Sequence, residues 1–202
     1  FTHAFILRWV TVRSTSMYGT LHPGDLVAVA KWPLWTGFNR GDIVVFRDPL
    51  QDDRAMARRQ LLVKRIVGMP GDTLYMRDAK LFVNGIEQRQ GYGASSEMGD
   101  PNEVSSLFDW QKEVGLKASR FGPAPAQPTH DNWGPLVVPS ARYFMMGDNR
   151  YNSKDSRYWG LVPRENIRGR PLFVYYSWDP DSPKALPGLT AIRWGRLGHW
   201  IK

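Results

Sequence analysis

The run Leu61-Leu62-Val63-Lys64-Arg65-Ile66-Val67, closed by Gly68-Met69-Pro70-Gly71-Asp72, decides the fold class. A short, largely aliphatic and partly β-branched stretch stopped by a Pro-Gly turn reads as a strand, not a helix. The lysine inside it is the anomaly, because in sheets lysine usually marks an edge that faces water. Outward from this strand, Ile43-Val44-Val45-Phe46 is a second, fully apolar one, entered through the turn Arg40-Gly41-Asp42. Leu26-Val27-Ala28-Val29-Ala30 follows the turn His22-Pro23-Gly24-Asp25, and Pro171-Leu172-Phe173-Val174-Tyr175-Tyr176 supplies a late strand. Leu81-Phe82-Val83-Asn84-Gly85-Ile86 is a hairpin signal of the Asn-Gly type. Helical periodicity is weak throughout, so the expectation is a mainly β fold with few short helices.

With 202 residues the chain is long enough for one domain with a large insertion. From about Glu87 to Pro135 the texture turns to Gly, Ser, Pro and polar residues, with Pro123, Pro125 and Pro128 close together. The expected division is a core of residues 1–78 and 136–202, with 79–135 as an inserted smaller subdomain. The formal charge of +8 invites nucleic acid, anionic lipid or acidic protein as partner. Lys and Arg are scattered, apart from Arg54-Ala55-Met56-Ala57-Arg58-Arg59, so nucleic acid is not expected. The 9 Trp, several beside Arg or Lys, suit a membrane–water interface better. The basic, Trp-bearing end from Ile192 to Lys202 reads either as a segment lying on anionic lipid or as a last helix packed on the core.

With no Cys, disulfides and thiolate metal sites are excluded, and the 4 His show no ligand spacing. No metal and no cofactor are expected. No stretch approaches the ~20 apolar residues of a spanning helix. The abrupt start Phe1-Thr2-His3-Ala4-Phe5 reads as the trimmed end of something longer, with a membrane anchor removed.

Two further stretches make chemical sense only together with Lys64. Ser14-Thr15-Ser16-Met17-Tyr18-Gly19-Thr20-Leu21 offers a serine nucleophile, which needs a base within hydrogen-bond reach. No His has a supportive motif around it. A lysine substitutes when burial disfavours its ammonium, since desolvation lowers an amine pKa by up to ~3–5 units. Ser14, two residues before Ser16, lies on the same side of an extended segment and offers a second hydroxyl for a developing oxyanion. The third stretch, Gly147-Asp148-Asn149-Arg150-Tyr151-Asn152-Ser153-Lys154-Asp155-Ser156-Arg157, reads as a rigid polar turn that presents one hydroxyl to the amine.

In family order, these stretches resemble the bacterial type I signal peptidases, membrane-bound Ser/Lys endopeptidases. Arg40-Gly41-Asp42 through Phe46, Asp131-Asn132-Trp133-Gly134-Pro135 and Trp159-Gly160 share the resemblance. It implies Ser16 as nucleophile, Lys64 as general base, and Ser14 with the Ser16 N–H as oxyanion hole. It further implies Ser153 as the hydroxyl orienting Lys64, Asp155 with Arg157 as its brace, and an Asp148–Arg65 pair. Met17, Phe46 and Leu62 are the expected substrate pocket. The implied fold is an antiparallel β core of coiled sheets forming a partial barrel. Its partners would be preprotein signal peptides cut after an Ala-x-Ala type site and an anionic membrane surface. The implied setting is the extracytoplasmic face of the plasma membrane, and a monomer is expected. The family pattern carries proline where this chain has Arg13 and Gly19; glycine frees the backbone, while arginine restores an N–H and adds charge. Two other readings use the same residues: a repressor-type self-cleaving Ser/Lys protease, and a non-catalytic domain that binds peptides or lipid.

Overall fold

A computed structural model describes residues 7–49, 60–88, 100, 103 and 105–202. The expectations placed on residues 1–6 and on the basic run at 54–59 fall outside them. In chain order the strands are β1 (Arg8–Thr11), β2 (Asp25–Ala30), β3 (Ile43–Arg47), β4 (Leu61–Gly68), β5 (Thr73–Arg77), β6 (Lys80–Val83), β7 (Ile86–Glu87), β8 (Trp133–Val137), β9 (Arg142–Met146), β10 (Val162–Pro163) and β11 (Ile167–Ser177). Helices are single turns such as Pro33–Thr36 and Ser156–Trp159.

Two antiparallel sheets result, one in the order β1-β2-β11-β3-β4-β9-β10 and one in the order β7-β6-β5-β8. In the first, β1 and the start of β4 stand several strands apart yet line one cavity, so the sheet curls back on itself. Pleat alternation divides its apolar side chains between two cores. Ile43 and Val45 of β3 join Met17, Leu21 and Val174 on one face, while Val44 and Phe46 join Ile66 and Met145 on the other. Pro171 sits within β11 where its pairing with β2 shifts register, the position a residue lacking an N–H tolerates.

The second sheet is built on the Asn84-Gly85 turn, whose two positive φ angles (54° and 87°) match a two-residue hairpin. It reaches from Thr73 to Val137, because β5 continues from β4 after one turn and pairs with β6 and β8. Its core of Leu74, Trp133 and Leu136 runs on into Phe144 and Met146 of β9. The end of the chain is not a packed helix. One 3₁₀ turn, Trp194–Arg196, is tied down by Arg196 on Asp25 (2.6 Å), while Trp194 and Trp200 stay exposed. Among the described residues no helix is long and apolar enough to cross a membrane.

Candidate active site

Ser16 lies in the 3₁₀ turn Thr15–Met17, which forms where the extended Ser14 gives way to a tight corner. The turn holds because Met17 is buried in the core and its carbonyl accepts the N–H groups of Thr20 and Leu21 at 3.0 and 2.8 Å. Gly19 leaves the corner at φ +97°, a conformation closed to proline, so the chain takes a different path there from one with proline at this position. Ser14 Oγ and Ser16 Oγ are 3.1 Å apart. From the other side the 147–157 segment clamps the turn. Asn149 N donates to the Ser16 carbonyl at 3.1 Å, Asn149 Nδ2 to the Thr15 carbonyl at 3.3 Å, and Asn152 Nδ2 to Thr15 Oγ1 at 3.1 Å.

Lys64 is central in β4, opposite Val44, and only 3% exposed. Burial lowers its pKa from 10.5 to about 8; the Asp155 charge pulls it back up, Arg157 pushes it down and Asp148 raises it. At pH 7 roughly 10% of such an amine is neutral, against roughly 0.03% at its ordinary value. Ser16 and Lys64 line the same cavity, of about 500 Å³, together with Ser14, Met17 and Leu62. They are not hydrogen-bonded to one another, and Lys64 Nζ bonds no described residue.

Pairing of Arg65 with Met146 brings the end of β9 beside Lys64. Gly147, next along, is wedged so tightly that a Cβ would overlap both Ser153 Oγ and the Ser16 carbonyl. Ser153 therefore sits at the site, but its buried hydroxyl has no hydrogen-bond partner, so the expected bond to Lys64 is not made. The expected pairs around it are present. Arg65 bonds both oxygens of Asp148 at 2.8 and 2.7 Å, and Thr20 Oγ1 donates to Asp148 at 2.6 Å, linking β4 to the serine stretch. Arg157 holds Asp155 through Nε and Nη2, both at 2.8 Å. Burial alone would raise the Asp155 carboxyl. The Arg157 charge and hydrogen bonds, Lys64 and the Gly147 N–H outweigh it and keep the group below the usual carboxylate range.

Sequence reasoning passed over the other end of this network. His130, dismissed for want of a motif, is buried and hydrogen-bonded to Arg157 Nη1 and to Asp131 (2.6 Å). Tyr151 stacks on its ring (4.7 Å between centroids) and donates to Asp131 at 2.6 Å, a bond that leads in pushing the phenol up to about 12. Only the neighbouring Asp131-Asn132-Trp133-Gly134-Pro135 hinted at this. Phe46 requires a correction: it does not line the cavity but is fully buried in the core on the Val44 face of β3, with Ile66 and Met145. The apolar run of β3 hid that alternation, since both faces of the strand are buried.

A family profile described as "Signal peptidase, peptidase S26" matches residues 1–178. The chain belongs to the signal peptidase family. As a member of peptidase family S26 it is a hydrolase, a serine endopeptidase. Among its relatives, Signal peptidase I of Pseudomonas fluorescens is 31% identical over 94% of this chain and 72% of that protein. Signal peptidase I of Bacillus licheniformis is 33% identical over 87% of this chain and 80% of its own length. Signal peptidase I S of Bacillus subtilis strain 168 is 35% identical, with the same coverage of 87% and 80%.

Proposed function

We propose that this signal peptidase family member removes signal peptides from preproteins through a Ser16/Lys64 dyad. The observation that carries the reading is a buried lysine, with a pKa drawn down to about 8, lining one cavity with a serine held in a clamped turn. Substrate enters as an extended strand, with small residues one and three positions before the cut. Ser16 Oγ attacks the peptide carbonyl carbon as its proton passes to neutral Lys64. The tetrahedral oxyanion is met by the Ser16 N–H and the Ser14 hydroxyl, a type of donor worth roughly 2.7–4 kcal/mol each. The C–N bond then breaks as the Lys64 ammonium protonates the leaving amine. Water attacks the acyl-enzyme, gives its proton to Lys64, and releases the new carboxylate with Ser16 restored. Ser153 Oγ, buried and unpartnered, is the hydroxyl available to hold the amine once substrate compresses the site.

The chain works at the extracytoplasmic face of the plasma membrane. Supporting this is an exposed aromatic set on the β1–β11 side, where Trp9 and Tyr175 pack at 4.6 Å and Trp200 packs beside Phe173 at 5.6 Å. The test is incubation with a preprotein carrying an Ala-x-Ala site, followed by mass analysis. One cut after the second Ala is expected, and Ser16→Ala or Lys64→Ala should each reduce kcat/KM by roughly 1,000-fold or more. Full activity in either variant would exclude the dyad.

A further inference from the structure

Among the described residues, the catalytic cavity is lined by two cationic side chains, Arg13 and Lys64, and by no carboxylate. Arg40, Arg65, Arg157, Arg170, Arg193 and Arg196 each hold an aspartate within 3.1 Å. Arg13 is exposed at the cavity wall and has neither ion-pair nor hydrogen-bond partner among the described residues. Of the two cations, Lys64 must give up its charge to work as a base, whereas a guanidinium keeps its charge at every working pH. Among the described residues the cavity therefore holds one guanidinium without a counter-ion, one residue before the Ser14 hydroxyl that touches Ser16 Oγ.

Resting on the peptidase reading above, we propose that Arg13 is a specificity-determining residue that selects substrates with an acidic side chain within three residues of the scissile bond. A carboxylate there meets a planar, bidentate donor that has no competing partner to displace. The pair lies at an open wall and touches no reacting atom. It strengthens ground state and transition state alike, so its effect belongs in KM and not in kcat. An exposed pair of this kind changes affinity by about fivefold at most, and salt screens it.

The experiment uses fluorogenic Ala-x-Ala peptides in matched pairs, Glu against Gln, with the pair walked from three positions before the cut to three after. The expected result is one position at which Glu lowers KM about fivefold relative to Gln at low salt, with equal kcat, and at which the ratio collapses in ~1 M salt. In Arg13→Gln the ratio at that position becomes about 1; in Arg13→Lys it is partly kept; in Arg13→Glu it inverts. Because each ratio compares two peptides on one enzyme, a change in overall activity does not disturb it. Cleavage of Glu and Gln peptides with equal KM at every position, or a preference that survives in Arg13→Gln, overturns the Arg13 subsite alone. Cleavage of no peptide overturns the peptidase reading and the subsite with it.

Discussion

Lys64 in the middle of β4 and Arg157 in the turn after β9 are both cations almost wholly removed from water, at 3% and 0% exposure, and they meet opposite fates. Arg157 is met by both oxygens of Asp155, by the Arg150 carbonyl at 2.6 Å and by His130, and it remains an ion. Lys64 is walled by aliphatic strands and hydrogen-bonded to no described residue, so its charge becomes the expensive form and its pKa falls to about 8. Burial alone does not make a base. Burial without a bonded counter-charge does, whereas the charges of the polar turn beside it are matched.

The widest test of that contrast breaks the matched side. Arg157→Ala or Asp155→Ala strands a buried charge and should cost about 3–5 kcal/mol, read as a fall of roughly 10 °C in Tm. A double replacement by Met and Leu should cost less than the two single losses added together. A single-variant loss under ~1 kcal/mol would show that the pair is not what holds the turn.

The unmatched side should respond in the opposite sense. The folded pKa of Lys64, about 8, lies below its ordinary 10.5, so the folded chain binds fewer protons and its stability rises with pH between those values. Lys64→Met removes that penalty. It should gain roughly 3 kcal/mol in denaturant unfolding at pH 7, full below pH ~8 and gone by pH ~10.5, while abolishing cleavage.

Where the two regions touch, Gly147→Ala places a methyl into Ser153 Oγ and the Ser16 carbonyl. A shift of the nucleophile by ~1 Å should lower kcat/KM about 100-fold, and unchanged kinetics would mean the clamp does not set the position of Ser16. The smallest effect is at the far end of the network. Tyr151→Phe removes one 2.6 Å hydrogen bond to Asp131 and should cost about 1 kcal/mol in stability, with kcat/KM only a few-fold lower.

What the sequence disclosed follows from how local each signal is. The strands at Ile43–Arg47 and Leu61–Gly68 and the Asn84-Gly85 turn are written in consecutive residues, and were readable to within about a residue or two. Thr73–Arg77 was missed as a strand although it alternates, Leu74 and Met76 inward, because Tyr75 between them blurs the period in so short a segment. Phe46 was misassigned because a strand buried on both faces carries no period to say which side a residue takes. His130 escaped notice for a different reason: its partners Arg150 and Arg157 are 20 and 27 positions away, and no short motif encodes a contact at that separation. The missing bond at Ser153 is likewise invisible in sequence, since residue types name possible partners and not their distances.

The whole account rests on the state of one amine. Direct titration of Lys64 by NMR of ε-¹³C-labelled lysine in the intact chain, assigned by the resonance that disappears in Lys64→Met, measures it without recourse to a substrate. The predicted midpoint is about 8, the value toward which burial draws the group. A midpoint near the ordinary 10.5 would contradict the claim that the strands around Lys64 make it a base.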